Sequence, residues 1–252
     1  MHRVTVVIPV YNSSDTIEKC LNSVLSQTYR DFQILIADDG STDNCVELIR
    51  NFFDLKNFFD YKILSQKNAG PGNARMLAIK HAGTQLCAFI DSDDEWSVDH
   101  LFRLVSFFDN NSVDLVCTVK NLKIRKPFVI TLNKLLYRCY VQSSTLLAKT
   151  EILLSVGFRA GKRYSEDYDL WLRIAAAGYK MVVLPYQDVD SVFGKRTFGM
   201  RGLSKQLWRM EKNELENYVY LKKMHIISFF RFCTASGFSF FKYLLRVVRS
   251  PL

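Results

Sequence analysis

Several short clusters of acidic and polar residues in this chain of 252 residues have types and spacings that could do chemistry. In Asp91-Ser92-Asp93-Asp94, two carboxylates two residues apart at the end of an extended strand project to the same side. They lie close enough to share a hard divalent cation, or to contact a ribose and a metal together. The alternative is an acidic turn that caps a helix beginning near Ser97 and Val98.

A second acidic cluster, Asp38-Asp39-Gly40-Ser41, follows another strand. One of its carboxylates could accept a hydrogen bond from the imide N–H of a nucleobase, and Tyr11 could offer its ring for base stacking. The alternatives are an Asp-Gly turn with a helix cap, and a strand-end aromatic residue that closes the core.

Two further clusters lie at predicted helix starts. The glycine-rich run from Asn68 to Arg75 could bring its backbone and Arg75 close to a phosphate, but it lacks P-loop spacing, and a plain turn accounts for it when taken alone. In Ser165-Glu166-Asp167, a carboxylate could be the general base that deprotonates an attacking hydroxyl group, or an ordinary partner of the helix dipole. Successive helical residues diverge by about a quarter turn, so only one of Glu166 and Asp167 can point fully at a substrate.

The elements that must position these clusters are short apolar strands separated by amphipathic helices. The predicted strands are Val4 to Pro9, Gln33 to Ala37, Tyr61 to Leu64, Leu86 to Ile90 and Val113 to Val119. Alternation of this kind predicts an α/β fold with a mostly parallel central sheet covered on both faces. Such sheets bind ligands outside the carboxyl ends of their strands, so the acidic clusters should converge on one crevice.

The net charge of +9 is unevenly distributed along the chain. Up to Gly194 there are 22 basic and 22 acidic side chains, whereas the last 58 residues carry 12 basic and 3 acidic ones. This balance disfavours a protein that coats nucleic acid through its phosphates. The hydrophobic content of 48% suffices for a core and excludes intrinsic disorder.

The cysteines and the amino-terminal run indicate a cytoplasmic protein. The six cysteines are far apart and include no C-x-x-C pair, which is typical of reduced, mostly buried thiols. The apolar run Val4 to Val10 has no small-residue cleavage site and leads into polar residues. It is therefore interpreted as a first strand and not as a signal peptide.

The carboxyl-terminal region is predicted to be helical and to contact a membrane. Ser204 to about Met224 has a helical pattern, and Ile226 to Val248 is rich in Phe, Leu, Ile and Val but too short in its charge-free part to span a bilayer. Its cations fall near one helical stripe: Arg231, Lys242, Arg246 and Arg249. This pattern favours an interfacial helix on an anionic membrane over a terminal helix packed on the domain. Gly237 could divide the segment.

Five motifs occur in an order and at distances that resemble family 2 glycosyltransferases of the GT-A fold. They are Val-Ile-Pro-Val-Tyr-Asn, Ala-Asp-Asp-Gly-Ser-Thr-Asp, Asn-Ala-Gly-Pro-Gly-Asn-Ala-Arg, Phe-Ile-Asp-Ser-Asp-Asp-Glu-Trp and Ser-Glu-Asp-Tyr-Asp-Leu-Trp-Leu-Arg. Each motif alone is common, but the ordered set is specific. The resemblance covers roughly residues 3 to 185 and implies a three-layer, Rossmann-like fold, followed here by carboxyl-terminal amphipathic helices. The expected division is residues 1–203 and 204–252.

The resemblance implies roles for individual residues. Asp39 matches the acid that hydrogen-bonds the base, and Asp93 matches the favoured ligand of Mn2+ or Mg2+, with Asp91 nearer the ribose. Asp167 matches the catalytic base and Glu166 a neighbouring acid on the acceptor side. The positions that match residues around the donor nucleotide are Pro9, Tyr11, Asn12, Asp39, Arg75 and Asp91.

One departure concerns a histidine that several relatives place after the last core strand as a metal or diphosphate contact. No histidine lies between Pro185 and Met224 in this sequence. A basic, glycine-containing segment with Lys195, Arg196 and Arg201 could screen diphosphate charge instead, or be an ordinary solvated loop.

The leading hypothesis is an inverting, metal-assisted transferase that uses a nucleotide-diphosphate sugar, with UDP favoured. The expected acceptor is lipid-linked or an oligosaccharide in surface-polysaccharide synthesis, and the expected location is peripheral, at the inner face of the cell membrane. The segment from Asn121 to Tyr140 is an acceptor-side candidate. The rivals are a non-catalytic, membrane-associated nucleotide-sugar-binding or scaffold protein, a nucleotidyltransferase and, third, a nucleic-acid-binding protein.

Overall fold

The computed structural model describes residues 2–120, 123–193 and 205–249. Strands and helices alternate along the chain much as the sequence predicts. The strands are β1 (Val4–Val10), β2 (Phe32–Asp38), β3 (Tyr61–Ser65), β4 (Leu86–Phe89), β5 (Asp94–Trp96), β6 (Leu115–Cys117), β7 (Phe128–Ile130), β8 (Leu146–Lys149), β9 (Met181–Val183) and β10 (Val189–Ser191). The helices are α1 (Ile17–Leu25), α2 (Cys45–Lys56), α3 (Pro71–Lys80), α4 (His100–Asn110), α5 (Leu132–Leu135), α6 (Thr150–Val156), α7 (Glu166–Ala176), α8 (Leu207–Lys223) and α9 (Phe229–Arg249).

The main sheet of the described residues has the strand order β3-β2-β1-β4-β8-β6-β9-β7. Strand β1 is central and pairs in parallel with β2 and β4, so that Val7 lies opposite Leu35 and Phe89. Every residue of β1 is buried, because helices cover both faces of the sheet. The expected α/β architecture with a mostly parallel sheet is confirmed.

Two apolar cores lie on opposite faces of this sheet. Val7 of β1 faces the core formed with α3, α6 and α7, whereas Val6 and Ile8 face the core formed with α1, α2 and α4. This alternation follows from the two-residue period of a strand. The result is a three-layer arrangement that holds the carboxyl ends of β1, β2 and β4 at one edge.

Two antiparallel strands within the main sheet are not evident in the sequence. Strand β8 lies between β4 and β6 and runs antiparallel to both, and β7 pairs antiparallel with β9 at the sheet edge. The expected strand Val113 to Val119 is shorter, covering Leu115–Cys117. Apolar pattern and β-branched content identify a strand, but its direction depends on which neighbours it pairs with.

The carboxyl-terminal helices form a hairpin whose turn contains His225 in a left-handed conformation, with φ +55°. Helix α9 runs through Gly237 without interruption, so this glycine does not divide it. No helix in the described ranges has both the length and the apolar character needed to cross a bilayer.

The cationic stripe predicted on α9 is turned toward α8 over its central part. Lys242 lies 3.4 Å from a carboxylate oxygen of Glu214 on α8 and donates to the backbone carbonyl of Tyr137 at 3.4 Å. Ala235 and Ser239, on the same side of α9, are fully buried. Helical periodicity correctly groups these cations but does not decide which way their face points.

Candidate active site

A crevice of about 770 Å3 opens at the carboxyl ends of β1, β2 and β4. Its walls also include the start of α3, the 3-10 turn Ser143–Thr145 and the start of α7. The nine residues to which the family resemblance assigns roles all line this one crevice: Pro9, Tyr11, Asn12, Asp39, Arg75, Asp91, Asp93, Glu166 and Asp167. The fold therefore brings together side chains that lie up to 158 positions apart in the sequence.

One end of the crevice is shaped by the turn that follows β1. Asn12 has a φ of +48°, in the left-handed region that asparagine tolerates better than most residues. Its side-chain oxygen accepts from the backbone N–H of Thr42 at 2.8 Å, which ties the turn to the segment after β2. The ring of Tyr11 is about half exposed, at 48%, so it does not close the core and is available for stacking.

Asp39 organises the loop that precedes α3. Its two carboxylate oxygens accept from the side-chain amide of Gln66 at 2.7 Å and from the backbone N–H groups of Ala69 and Gly70 at 2.8 Å each. A carboxylate has about four acceptor positions, so these bonds leave capacity for a further donor. Asp39 is buried yet lines the crevice, and its structural bonds fix the direction of that remaining position.

The acidic turn after β4 does not cap a helix, since α4 begins only at His100. Asp91 and Asp93 are half-buried in the crevice wall, while Asp94 is buried and pairs with the ammonium group of Lys120 at 2.5 Å. Burial and the negative charge of Asp91 raise the pKa of Asp94 to about 6. The turn thus concentrates negative charge on the crevice, a suitable environment for a cation.

Arg75 lies between two carboxylates at the floor of the crevice. Its guanidinium group donates to Asp91 Oδ1 at 2.6 Å and to Glu166 Oε1 at 3.3 Å. Burial lowers the pKa of Arg75, but the charges of Asp91 and Glu166 outweigh this effect and hold it above its usual value. Arg75 therefore joins the acidic turn to helix α7.

Glu166 and Asp167 form the first turn of α7 and both line the crevice. Burial and the charge of Asp167 raise the pKa of Glu166 to about 7, and burial also raises the pKa of Asp167. Glu166 packs against Gly72, where a side-chain methyl group would meet Glu166 Cγ at 2.9 Å. Carboxyl groups with raised pKa values in a crevice are suited to proton transfer near neutral pH.

Helix α8 packs against the start of α7 and holds it by hydrogen bonds, and the sequence motifs do not indicate this support. Ser165, the residue before α7, has a φ of +53°, and Asn217 of α8 donates to its carbonyl and hydroxyl oxygens at 3.3 Å. Tyr218 and Tyr168 place their hydroxyl oxygens 3.1 Å apart. The core-like spacing of Tyr218 and Leu221 in the sequence is the signal for this packing, but it does not identify the partner helix.

The crevice also contains residues that the motifs do not include. The hydroxyl oxygen of Ser144 accepts from the backbone N–H of Asp91 at 3.0 Å and so fixes the acidic turn.

The predicted acceptor segment, Asn121 to Tyr140, contributes little to the crevice. Within the described residues the lining includes Lys120 and Gln142, on either side of this segment, but no residue of 123–140. That part of the segment instead reaches the hairpin, because the Tyr137 hydroxyl lies 3.0 Å from Thr234 of α9. Lys195, Arg196 and Arg201 lie outside the described residues.

The sequence comparison identifies the family. Residues 5–171 match the family model described as Glycosyl transferase family 2, and the chain belongs to this family. Over 180 residues it is 33% identical to WfgD of Escherichia coli, a UDP-Glc:alpha-D-GlcNAc-diphosphoundecaprenol beta-1,3-glucosyltransferase, covering 68% of this chain and 69% of WfgD. WfaP of Escherichia coli, described by the same activity, is 32% identical over 193 residues, covering 71% of this chain and 73% of WfaP.

Solved structures share the fold. PcManGT, a mannosyltransferase from Pyrobaculum calidifontis solved with GDP-Man and Mn2+, matches with a TM-score of 0.73 at 18% identity, covering 99% of this chain and 76% of that chain. TarS 1-349 of S. aureus matches with a TM-score of 0.65 at 20% identity over 86% of this chain, which spans 65% of the TarS chain. The expected GT-A architecture is confirmed by these likenesses in fold.

Proposed function

We propose that this protein is an inverting hexosyltransferase that moves a sugar from a UDP-sugar to a hydroxyl group of a lipid-linked or oligosaccharide acceptor. The reaction would belong to the synthesis of a cell-surface polysaccharide such as O-antigen, capsule or lipopolysaccharide. The observation that carries the proposal is the convergence of nine motif residues on one crevice in a chain of this family. The activities of WfgD and WfaP support UDP-glucose as the first donor to test and a sugar on a polyprenyl diphosphate as the first acceptor.

The donor nucleotide is assigned to the end of the crevice near Tyr11 and Asp39. The half-exposed ring of Tyr11 offers a face for the base, and the remaining acceptor position of Asp39 suits an imide N–H of uracil. Asn12 holds the turn that carries Tyr11, while Pro9 at the end of β1 forms part of the wall.

A divalent cation, Mn2+ or Mg2+, fits the residues of the acidic turn. In the parts of the chain that the structure describes, no group of three His, Cys, Asp or Glu residues could hold a metal unaided. Asp91 and Asp93 supply carboxylates, with one oxygen of Asp91 engaged by Arg75. Such a site suits a cation bound through one or two carboxylates together with substrate phosphates. The bound cation would neutralise the diphosphate leaving group.

Asp167 is assigned as the general base. Arg75 holds Glu166, whereas Asp167 is half-buried at the crevice wall with one oxygen accepting from the Tyr168 N–H at 2.6 Å. Its other oxygen would take the proton of the acceptor hydroxyl as that oxygen bonds to the anomeric carbon and the bond to the diphosphate breaks. A single displacement of this kind inverts the anomeric configuration. Glu166 would keep Arg75 in place on the acceptor side.

The proposed setting is the inner face of the cell membrane, where the protein would be peripheral. A lipid-linked acceptor requires the crevice to approach the bilayer, and the exposed cations Lys222, Lys223 and Arg231 of the hairpin could meet anionic headgroups. The charge balance of the first 194 residues continues to argue against nucleic acid as a partner.

The decisive experiment is a panel of UDP-, GDP- and dTDP-sugars offered with a synthetic α-GlcNAc-diphospholipid acceptor and Mg2+ or Mn2+. We expect transfer from one UDP-sugar, with a product of inverted anomeric configuration by NMR. Metal-dependent binding of UDP without transfer or donor hydrolysis across the whole panel would instead identify a nucleotide-sugar-binding protein. Retention of configuration would contradict the single displacement.

A further inference from the structure

The outer surface of α9 is a broad apolar face. All exposed residues of this helix between positions 237 and 248 are apolar or glycine, while the charged residues of that stretch, Lys242 and Arg246, are half-buried. Phe230, Phe241 and Val248 share one side, since spacings of eleven and eighteen residues are close to three and five turns. The outer face consists of Phe229, Phe230, Phe240, Phe241, Leu244, Leu245, Val247 and Val248, which are 38–82% exposed.

The inner face of α9 has interactions that explain why its cations do not point outward. Glu214 of α8 accepts from Ser239 at 2.8 Å and lies 3.4 Å from the ammonium group of Lys242. Glu211 of α8 is fully buried, and the positive charges of Arg246 and Lys242 act on it. Because these cations compensate the carboxylates of the buried Glu211 and the half-buried Glu214, the apolar residues are left on the solvent side.

We propose that the outer face of α9 docks the protein on a lipid bilayer by shallow hydrophobic insertion. The helix has 21 residues, so its face is about 30 Å long. Extended exposed apolar faces of this kind mark sites of contact with a membrane or another protein. A helix of this kind lies in the plane of the interface with its apolar side among the acyl chains. The attachment is mainly apolar, and electrostatic attraction adds to it without being required.

The charges around the face select a lipid surface over a second copy of this chain. Lys222, Lys223 and Arg231 are exposed near the amino-terminal end of α9, and α9 contains no acidic residue. Lipid headgroups offer phosphates to these cations, whereas a second copy of the same face offers only the same cations. Trp208 and Tyr243, whose rings lie 5.7 Å apart, add aromatic side chains of the type enriched at membrane interfaces.

Helix α8 connects this surface to the crevice. Met210 lines the crevice, while the neighbouring Trp208 packs on Tyr243 of α9. An acceptor sugar carried on a membrane lipid would therefore enter from the side on which α9 contacts the bilayer. This inference rests on the proposed function for the acceptor, but the docking itself can be measured without any transfer reaction.

The test is flotation of the full chain with vesicles of pure phosphatidylcholine and with vesicles containing phosphatidylglycerol, at low and high salt. The variant carries Phe230→Glu and Val248→Glu, at side chains 75% and 82% exposed. The matched control carries Phe59→Glu and Leu55→Glu, also 75% and 82% exposed, after and within α2. We expect the natural chain and the control to bind both vesicle types, and the α9 variant to lose at least about tenfold in partitioning.

Two results would overturn the inference. One is binding to anionic vesicles only, abolished by Lys222→Gln with Lys223→Gln but kept in the α9 variant, which would indicate a purely electrostatic contact. The other is no vesicle binding together with a dimer in analytical ultracentrifugation that the α9 variant dissociates. Transfer to a short-chain, water-soluble acceptor should be equal in the natural chain and the α9 variant, so failure of docking is distinguishable from failure of the proposed reaction.

Discussion

Arg75 is the residue through which the acidic turn and the first turn of α7 influence each other. It contacts Asp91 and Glu166 directly, and its charge lowers the pKa values of both Glu166 and Asp167 against the effect of burial. One buried cation therefore keeps both carboxyl groups at the start of α7 closer to their ionised forms than burial alone would. The proton affinity of the proposed base depends on this residue as well as on its own burial.

Replacement of Arg75 should move the pH dependence of transfer. The base acts when deprotonated, so kcat/KM should fall as pH drops through the raised pKa values of the Glu166 and Asp167 pair. Arg75→Gln removes a charge that lowers both values and should shift this acidic limb to higher pH. Arg75→Lys keeps the charge and should shift it less. A limb that stays in place or moves to lower pH in Arg75→Gln, measured on folded protein, would contradict the assignment.

Replacement of Asp167 should remove the proton acceptor without removing the donor site. We expect Asp167→Asn to lower kcat by about 10²–10⁴-fold while UDP affinity by calorimetry changes little. Glu151→Gln, at an exposed carboxylate on α6, is the control and should leave both unchanged. Near-normal turnover in purified Asp167→Asn would assign the base elsewhere, with Glu166 the next candidate.

At the scale of elements, the contact between α3 and α7 determines where Glu166 lies. Gly72 in the first turn of α3 allows this approach, because an added methyl group would lie 2.9 Å from Glu166 Cγ and 3.1 Å from Phe158 Cδ1. Asn217 of α8 supports α7 from another direction, through Ser165. The position of the first turn of α7, which carries both Glu166 and the proposed base Asp167, therefore depends on the packing of α3, α7 and α8.

Two glycine-to-alanine substitutions distinguish the effect of close packing, at Gly72, from the effect of helix propensity, at Gly237. Gly72→Ala should displace Glu166 and lower kcat by about tenfold or more, since small misplacements near reacting groups are costly. Gly237→Ala, in the interior of α9, adds a carbon that meets no atom within 4 Å beyond its chain neighbours and the backbone of its own helix. It should raise the free energy of unfolding by roughly 0.5–1 kcal/mol without changing kcat. Steady-state kinetics and thermal denaturation of the two variants check both expectations. Full activity in Gly72→Ala would show that Glu166 tolerates displacement.

At the scale of the whole molecule, the hairpin is packed into the same apolar core as the sheet and α7. Ile227 and Ala235 of this region are buried together with Tyr218 and Trp171. The basic, aromatic region is thus held against the domain on one face of α9 and exposes the other. If the chain is divided into residues 1–203 and 204–252, as proposed, the two regions share one apolar core.

Deletion of residues 226–252 should therefore destabilise the remaining chain. Loss of buried apolar side chains such as Ile227 typically costs about 2 kcal/mol or more each, so the melting temperature should fall by at least about 5 °C. UDP binding should persist below that temperature, because the donor end of the crevice is built from β1, β2 and α3. Differential scanning calorimetry and UDP titration measure the two effects. An unchanged melting temperature would show that α9 does not contribute to the core.

Much of the site can be predicted from the sequence because its parts are local. Residues at strand ends, such as Asp39 and Asp91, are identified by the apolar strands before them, and the parallel sheet brings those ends to one edge. The ion pair between Arg75 and Glu166, which are 91 positions apart, cannot be predicted in this way, because it depends on how α3 and α7 pack.

The sequence by itself determined which residues share a strand end or a helix face, since these relations follow from the fixed periods of strand and helix. Only the tertiary structure decided how those faces are used: β8 runs antiparallel between β4 and β6, and Asp94 pairs with Lys120 while Asp91 remains in the crevice. It also turned Lys242 inward and left the apolar face of α9 outside. The physical reason is that direction and burial depend on the neighbours a segment meets, and distant parts of the chain supply those neighbours.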